Sequence, residues 1–196
     1  MHIKKKNKDR LYVCLYVRGG KAKMPGGEDR FHWALVVAPK HQQHDICTRS
    51  TVVGRRFHAK EDMSRVPYTW TVTAEDEQLG THQSARLLTR VLVGKVGNRT
   101  ALEATLRGIP VRDGQAGYDG WNCVAWVAEA LAALGADGND ALSAAMLDWE
   151  RVRRQALSYT DGKIASHRFD GQPAAYTFVQ DEVPTYDLMV DREVVP

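Results

Sequence analysis

The chain has 196 residues and a formal net charge of +3, with 43% hydrophobic and 26% charged residues, the balance of an ordinary soluble globular protein long enough to bury a core. No apolar run approaches the ~18 residues of a membrane helix, so no membrane partner is expected. Three widely spaced cysteines, Cys14, Cys47 and Cys123, argue against a disulfide framework and against a zinc knuckle, and fit reduced thiols in the cytoplasm.

In chain order, residues 1–10 form a basic arm with Lys4, Lys5 and Lys6. "LYVCLYV" (11–17) alternates like a half-buried strand. A glycine-rich loop leads to "RFHWALVVA" (30–38), apolar enough for a central strand. "TVVGRRFHAKE" (51–61) and "YTWTVTAE" (68–75) continue an antiparallel meander. The period then changes. "HQSARLLTRVLVGKV" carries Leu87, Leu88, Val91 and Leu92 at helical spacing and predicts a helix. "TALEATLRGIPV" predicts a shorter one, with Thr100 as cap and Glu103 as its capping-box partner. A helix from Cys123 to Leu134 ends at Gly135, and a long helix follows from an Asp140 cap. Strands followed by helices, without alternation, predict an α+β fold with an antiparallel sheet packed against helices. A single catalytic domain over 11–168 and an extended segment over 169–196 complete the expected organisation.

Asn122 is a good N-cap, which makes Cys123 the first residue of its helix. A helix N-terminus carries roughly half a positive charge, favours a thiolate and offers free N–H groups to an oxyanion. Fast alkylation of Cys123 well below pH 8, with Cys14 slower, is the expectation. The apolar stripe Val124, Val127, Leu131 and Leu134 leaves Cys123 one position off the core, although a buried small side chain is the plain alternative. A thiolate needs a base, and that base needs an orienting group. Of seven histidines, His32 and His58 lie within strands, at the start of one and the end of the next, where antiparallel pairing brings them together. Glu61 or Asp62 is the alternative orienting group. A zinc site of His32, His58 and Cys123 is a weaker alternative, and no cofactor is expected.

"HWAL" on one strand, "FHA" closing the next and "NC" opening a later helix resemble the circularly permuted NlpC/P60 papain-like superfamily, nearest in pattern to the lecithin:retinol acyltransferase-like group. The resemblance implies Cys123 as nucleophile, His32 as general base and acid, and His58 as the residue that orients His32. The stretch "RLYVCLYVRGGKAKMPGGEDRFHWALVVAPK" resembles fungal arginine-containing cyclodipeptide synthases. That implies an arginyl group taken from aminoacyl-tRNA as a thioester and passed to a small acyl acceptor. On this reading Glu28, Asp29 and Asp119 hold a guanidinium, with Asp113 a further candidate. Lys4, Lys5, Lys6, Arg55, Arg56, Arg151, Arg153 and Arg154 grip the tRNA backbone. Thiol hydrolysis of an amide, ester or thioester, and a non-catalytic RNA- or protein-binding module, are the competing functions.

Overall fold

The computed structural model describes residues 9–40, 52–64, 66–79, 86–113, 120–170 and 182–196. Its strands are β1 (Asp9–Val17), β2 (Phe31–Pro39), β3 (Val52–Asp62), β4 (Thr69–Leu79), β5 (Leu87–Val96), β6 (Leu142–Ala145), β7 (Thr185–Asp187) and β8 (Arg192–Val195). Its helices are α1 (Arg99–Arg107), α2 (Cys123–Leu134) and α3 (Trp149–Ala165). One mixed sheet runs β4-β3-β2-β1-β5-β7-β8, with β6 also on β5. Every pairing is antiparallel except the parallel one between β5 and β7. The fold is therefore α+β, a mostly antiparallel sheet against three helices.

Strand alternation divides the apolar residues between two faces. Leu11, Val13 and Leu15 of β1 join Trp33, Leu35, Phe57 and the apolar side of α2 in the main core. Tyr12, Cys14 and Tyr16 point the other way and pack with Ala34, Val36 and Ala38. Helix α2 lies over β2 and β3, and α3 over β1 and β5. No helix among the described residues is long and apolar enough to cross a membrane.

The meander β1 to β4 follows the sequence expectation, but three later elements differ. Residues 87–96 form strand β5, not a helix. Each residue from 87 to 94 is buried, with Leu87 and Leu92 in one cluster and Leu88, Val91 and Val93 in the other. A strand buried on both faces is continuously apolar and fits the helical template equally well. Helix α1 is capped by Asn98, whose side chain accepts the Ala101 N–H at 3.1 Å, and not by Thr100. Glu103 instead pairs with Arg99 and Arg107 one turn away on either side. The long helix predicted from Asp140 starts later. Residues 142–145 pair with β5, and Asp148 caps α3 by accepting the Arg151 N–H at 2.8 Å. Within 169–196, β7 and β8 are strands of the same sheet.

Candidate active site

Helix α2 begins as the sequence predicts. The Asn122 side chain accepts the N–H groups of Val124 at 2.8 Å and Ala125 at 3.3 Å, so Cys123 is the first helical residue. Its position directs it into the seam between β2 and β3. These strands pair only from Leu35↔Phe57 to Val37↔Arg55, whereas β1 and β2 pair from Asp9↔Pro39 to Val17↔Phe31. Below Leu35 the N–H of Trp33 is left without a β3 partner in this ladder, and it faces the Cys123 sulfur.

The two strand histidines meet at the same seam. His32 Nε2 lies 2.7 Å from His58 Nδ1, with the rings close to perpendicular at 74°. Extending the β2–β3 register would set Ala34 opposite His58, so the two imidazoles are diagonal neighbours on one face. That face is the one holding Tyr16, whose ring centre is 6.1 Å from that of His32. His32 and Cys123 therefore approach the seam from opposite sides of the sheet. No hydrogen bond joins the sulfur to either ring among the described residues, and Nδ1 of His32 accepts and donates none. His58 Nε2 is 3.6 Å from Glu75 Oε1. Glu75 is fixed from both sides, by Arg56 at 2.7 Å and by Lys60.

The electrostatics describe a neutral pair at rest. Burial pushes the Cys123 thiol up, against the opposing pull of the Trp33 N–H, the Arg18 guanidinium and the first N–H groups of α2. Burial, helped by His58, Arg56 and Arg18, holds His32 down at about 3. Burial and Arg56 likewise hold His58 at about 4, against the attraction of Glu75. The hydrogen bond from Lys60, followed by that from Arg56, keeps Glu75 well below the usual carboxylate range. Of the two readings the sequence left open, the ionised thiol is corrected and the buried small side chain is what the structure shows. Cys123 is 0% exposed within the main core, where α2 packs along its length over β2 and β3, and the desolvation exceeds the helix-end field.

The loop before β2 closes over this helix end. Asp29 accepts the Lys23 N–H at 2.8 Å and the Met24 N–H at 3.0 Å, and the Met24 sulfur receives the Asn122 amide at 3.4 Å. Gly27 turns the chain with φ 68°, and a Cβ on Gly26 would stand 2.3 Å from the Glu28 carboxylate. Glu28 and Asp29 both make contacts within the protein. Both are buried. Glu28 pairs with Arg153, its carbonyl accepts the Trp33 indole N–H at 2.8 Å, and Asp29 holds the loop.

The basic residues are also partly engaged. Arg55 pairs with Asp76 at 2.6 Å, Arg56 with Glu75, Arg151 with Asp191 at 3.3 Å, and Arg153 with Glu28 and Glu150. Arg154 is exposed on α3. Lys4, Lys5, Lys6 and Asp119 lie outside the described residues. Glu61 is exposed and alternates to the face opposite His58, and Asp62 binds Ser64 at the hairpin, so neither occupies the orienting position. Among the described residues no group of three or more His, Cys, Asp or Glu side chains has metal-holding geometry. Sequence reasoning passed over Glu75 and Arg18. Glu75 was within reach of hairpin arithmetic, since β3 and β4 pair Arg56 with Glu75 and His58 with Thr73.

An α+β chain with a capped cysteine helix laid over a mostly antiparallel sheet is the class that these features define. Residues 8–195 match DUF6914, a family of unknown function, and the chain belongs to that family. No curated protein and no solved structure matches it.

Proposed function

We propose that the protein is a cysteine-dependent acyl-transfer enzyme with Cys123 as nucleophile, His32 as general base and acid, and His58 as the orienting residue. The observation that carries this reading is the 2.7 Å contact between His32 Nε2 and His58 Nδ1 at the seam where the α2 cysteine docks. With Nε2 occupied, Nδ1 is the nitrogen of His32 left for the thiol proton, and because ring and sulfur stand on opposite faces of the sheet the transfer needs the β2–β3 seam to open between them. The resting pair is neutral, so the proton moves only as the sulfur attacks a carbonyl carbon. The S–C bond forms, the thiol proton passes to His32 and then to the leaving oxygen or nitrogen, and an amine or water cleaves the thioester and restores the thiol. The first N–H groups of α2 suit the oxyanion. Access requires the loop held by Asp29 to lift from Asn122. The permuted papain-like arrangement is the finer form of this fold reading.

Its narrowest form is aminoacyl transfer from tRNA, arginyl-tRNA first, to give a cyclic dipeptide. The basic arm and Arg154 support it. Thiol hydrolysis of a small amide, ester or thioester is the second reading, favoured by the ion pairing of Arg55, Arg56, Arg151 and Arg153. Intact mass spectrometry after incubation with charged tRNA separates them. A hydroxylamine-labile adduct of arginyl mass, absent in Cys123→Ala, supports transfer from tRNA, and its formation should fall steeply between 50 and 200 mM salt. Turnover of a small thioester with little salt response supports hydrolysis. Full activity in Cys123→Ala under either assay overturns the nucleophile assignment and leaves a binding module.

A further inference from the structure

A cavity of about 300 Å³ opens beside the loop, at the end where β1 leaves the sheet and β2 enters it. Its apolar lining comes from Val17, Phe31, Leu88, Ile164 and Phe169. Three of these are unusually open for their type: Val17 is 49% exposed, Ile164 46% and Phe169 37%. Large apolar side chains gathered around one concavity, rather than scattered singly, mark a place where an apolar group docks.

The polar residues at the rim decide its sign. Arg30 is paired with a carboxylate and Asp170 is hydrogen-bonded to a histidine. Arg30 bonds Asp161 at 2.6 and 2.7 Å, and Asp170 bonds His167 at 2.6 Å. Arg18 differs. One of its nitrogens donates to the Asp29 carbonyl at 2.9 Å, a neutral acceptor, and stands 4.0 Å from the Asp29 carboxylate. That carboxylate already takes two backbone N–H groups. The remaining guanidinium edge of Arg18 makes no hydrogen bond among the described residues. A planar guanidinium edge with two parallel N–H donors fits a carboxylate in bidentate fashion.

We infer that this cavity binds a small carboxylate with an aromatic or branched aliphatic body, its acid group on the open edge of Arg18 and its body among Val17, Ile164 and Phe169. Arg18 bonds Asp29, and Asp29 holds Met24 against Asn122, the residue before Cys123, so the cavity and the start of the cysteine helix share one loop. Resting on the acyl-transfer reading in its hydrolytic form, the carboxylate is the released acid. The cavity then selects an apolar acyl group.

Titration of the full chain with phenylacetate, phenylacetamide and phenethylamine, followed by calorimetry or ligand-observed NMR, tests the inference. Phenylacetate should bind at least tenfold more tightly than the neutral amide, and the amine should not bind. Arg18→Gln should weaken phenylacetate at least tenfold and leave the amide unchanged. Ile164→Glu, on the exposed side of α3 where folding is undisturbed, should abolish binding by placing a carboxylate in the cavity. Cys123→Ala should bind phenylacetate as the wild type does, so loss of the nucleophile reading and loss of the cavity reading are separate results. Equal binding of amide and carboxylate, or unchanged affinity in both Arg18→Gln and Ile164→Glu, overturns the inference.

Discussion

At the scale of single residues, the central contrast is between what a helix end does to a thiol and what burial does. The cap at Asn122, the cysteine at the first helical position and the pairing of two strand histidines were all legible in the sequence, because each depends on local spacing. The depth of Cys123 was left open between two readings, because it depends on how α2 packs over β2 and β3. The alkylation expectation reverses accordingly. In the native protein Cys123 and Cys14, both 0% exposed, should react slowly with iodoacetamide below pH 8. Replacing Asp29 by Ala removes the acceptor that holds the Lys23 and Met24 amides, and should raise the Cys123 rate at least fivefold while leaving Cys14 unchanged. Peptide mapping by mass spectrometry reads both sites in one experiment. Asn122→Ala removes a cap that serves two N–H groups, and should cost about 1 kcal/mol in a denaturant titration.

Elements are where the sequence reading divides most sharply. Strands β3 and β4 show their alternation because polar residues such as Arg56, Lys60 and Glu75 mark one face. Strand β5 has no such mark, and β6 is too short to carry a period. The orienting chemistry belongs to this scale, since His32, His58 and Glu75 come from three adjacent strands held by register. It predicts an acid response with a definite sign. His32 at about 3 and His58 at about 4 both lie below the ordinary imidazole value. The unfolded chain therefore binds their protons first. Their contribution is complete above pH ~6.5 and is lost as the pH falls through 6 towards 4 and then 3. Glu75, held below the carboxylate range, acts in the same direction once the pH drops below its unfolded value near 4.5. Thermal melts should fall by on the order of 5–10 °C between pH 7 and pH 4.5. The double variant His32→Gln, His58→Asn should flatten that slope while lowering stability at pH 7. A slope unchanged in the variant would show that the pair does not titrate with unfolding.

Across the whole molecule, one sheet is closed by residues far apart in the chain. Leu188 is 1% exposed and Thr185 3%, and Arg90 Nε and Nη2 both donate to the Thr185 hydroxyl, at 3.1 and 3.0 Å. Deleting residues 182–196 should therefore remove the tertiary structure rather than trim an end. Loss of near-ultraviolet circular dichroism and of soluble yield are the expected readouts. The parallel pairing of β7 on β5 has a consequence for biosynthesis. Arg90 precedes Thr185 by 95 residues. At about 5–20 residues per second, β5 leaves the ribosome roughly 5–20 s before its parallel neighbour is made. During that interval a mostly apolar strand offers an open edge, the kind of template that recruits other nascent chains. Yield in a heterologous host should depend on holdase chaperones that occupy that edge until translation is nearly finished.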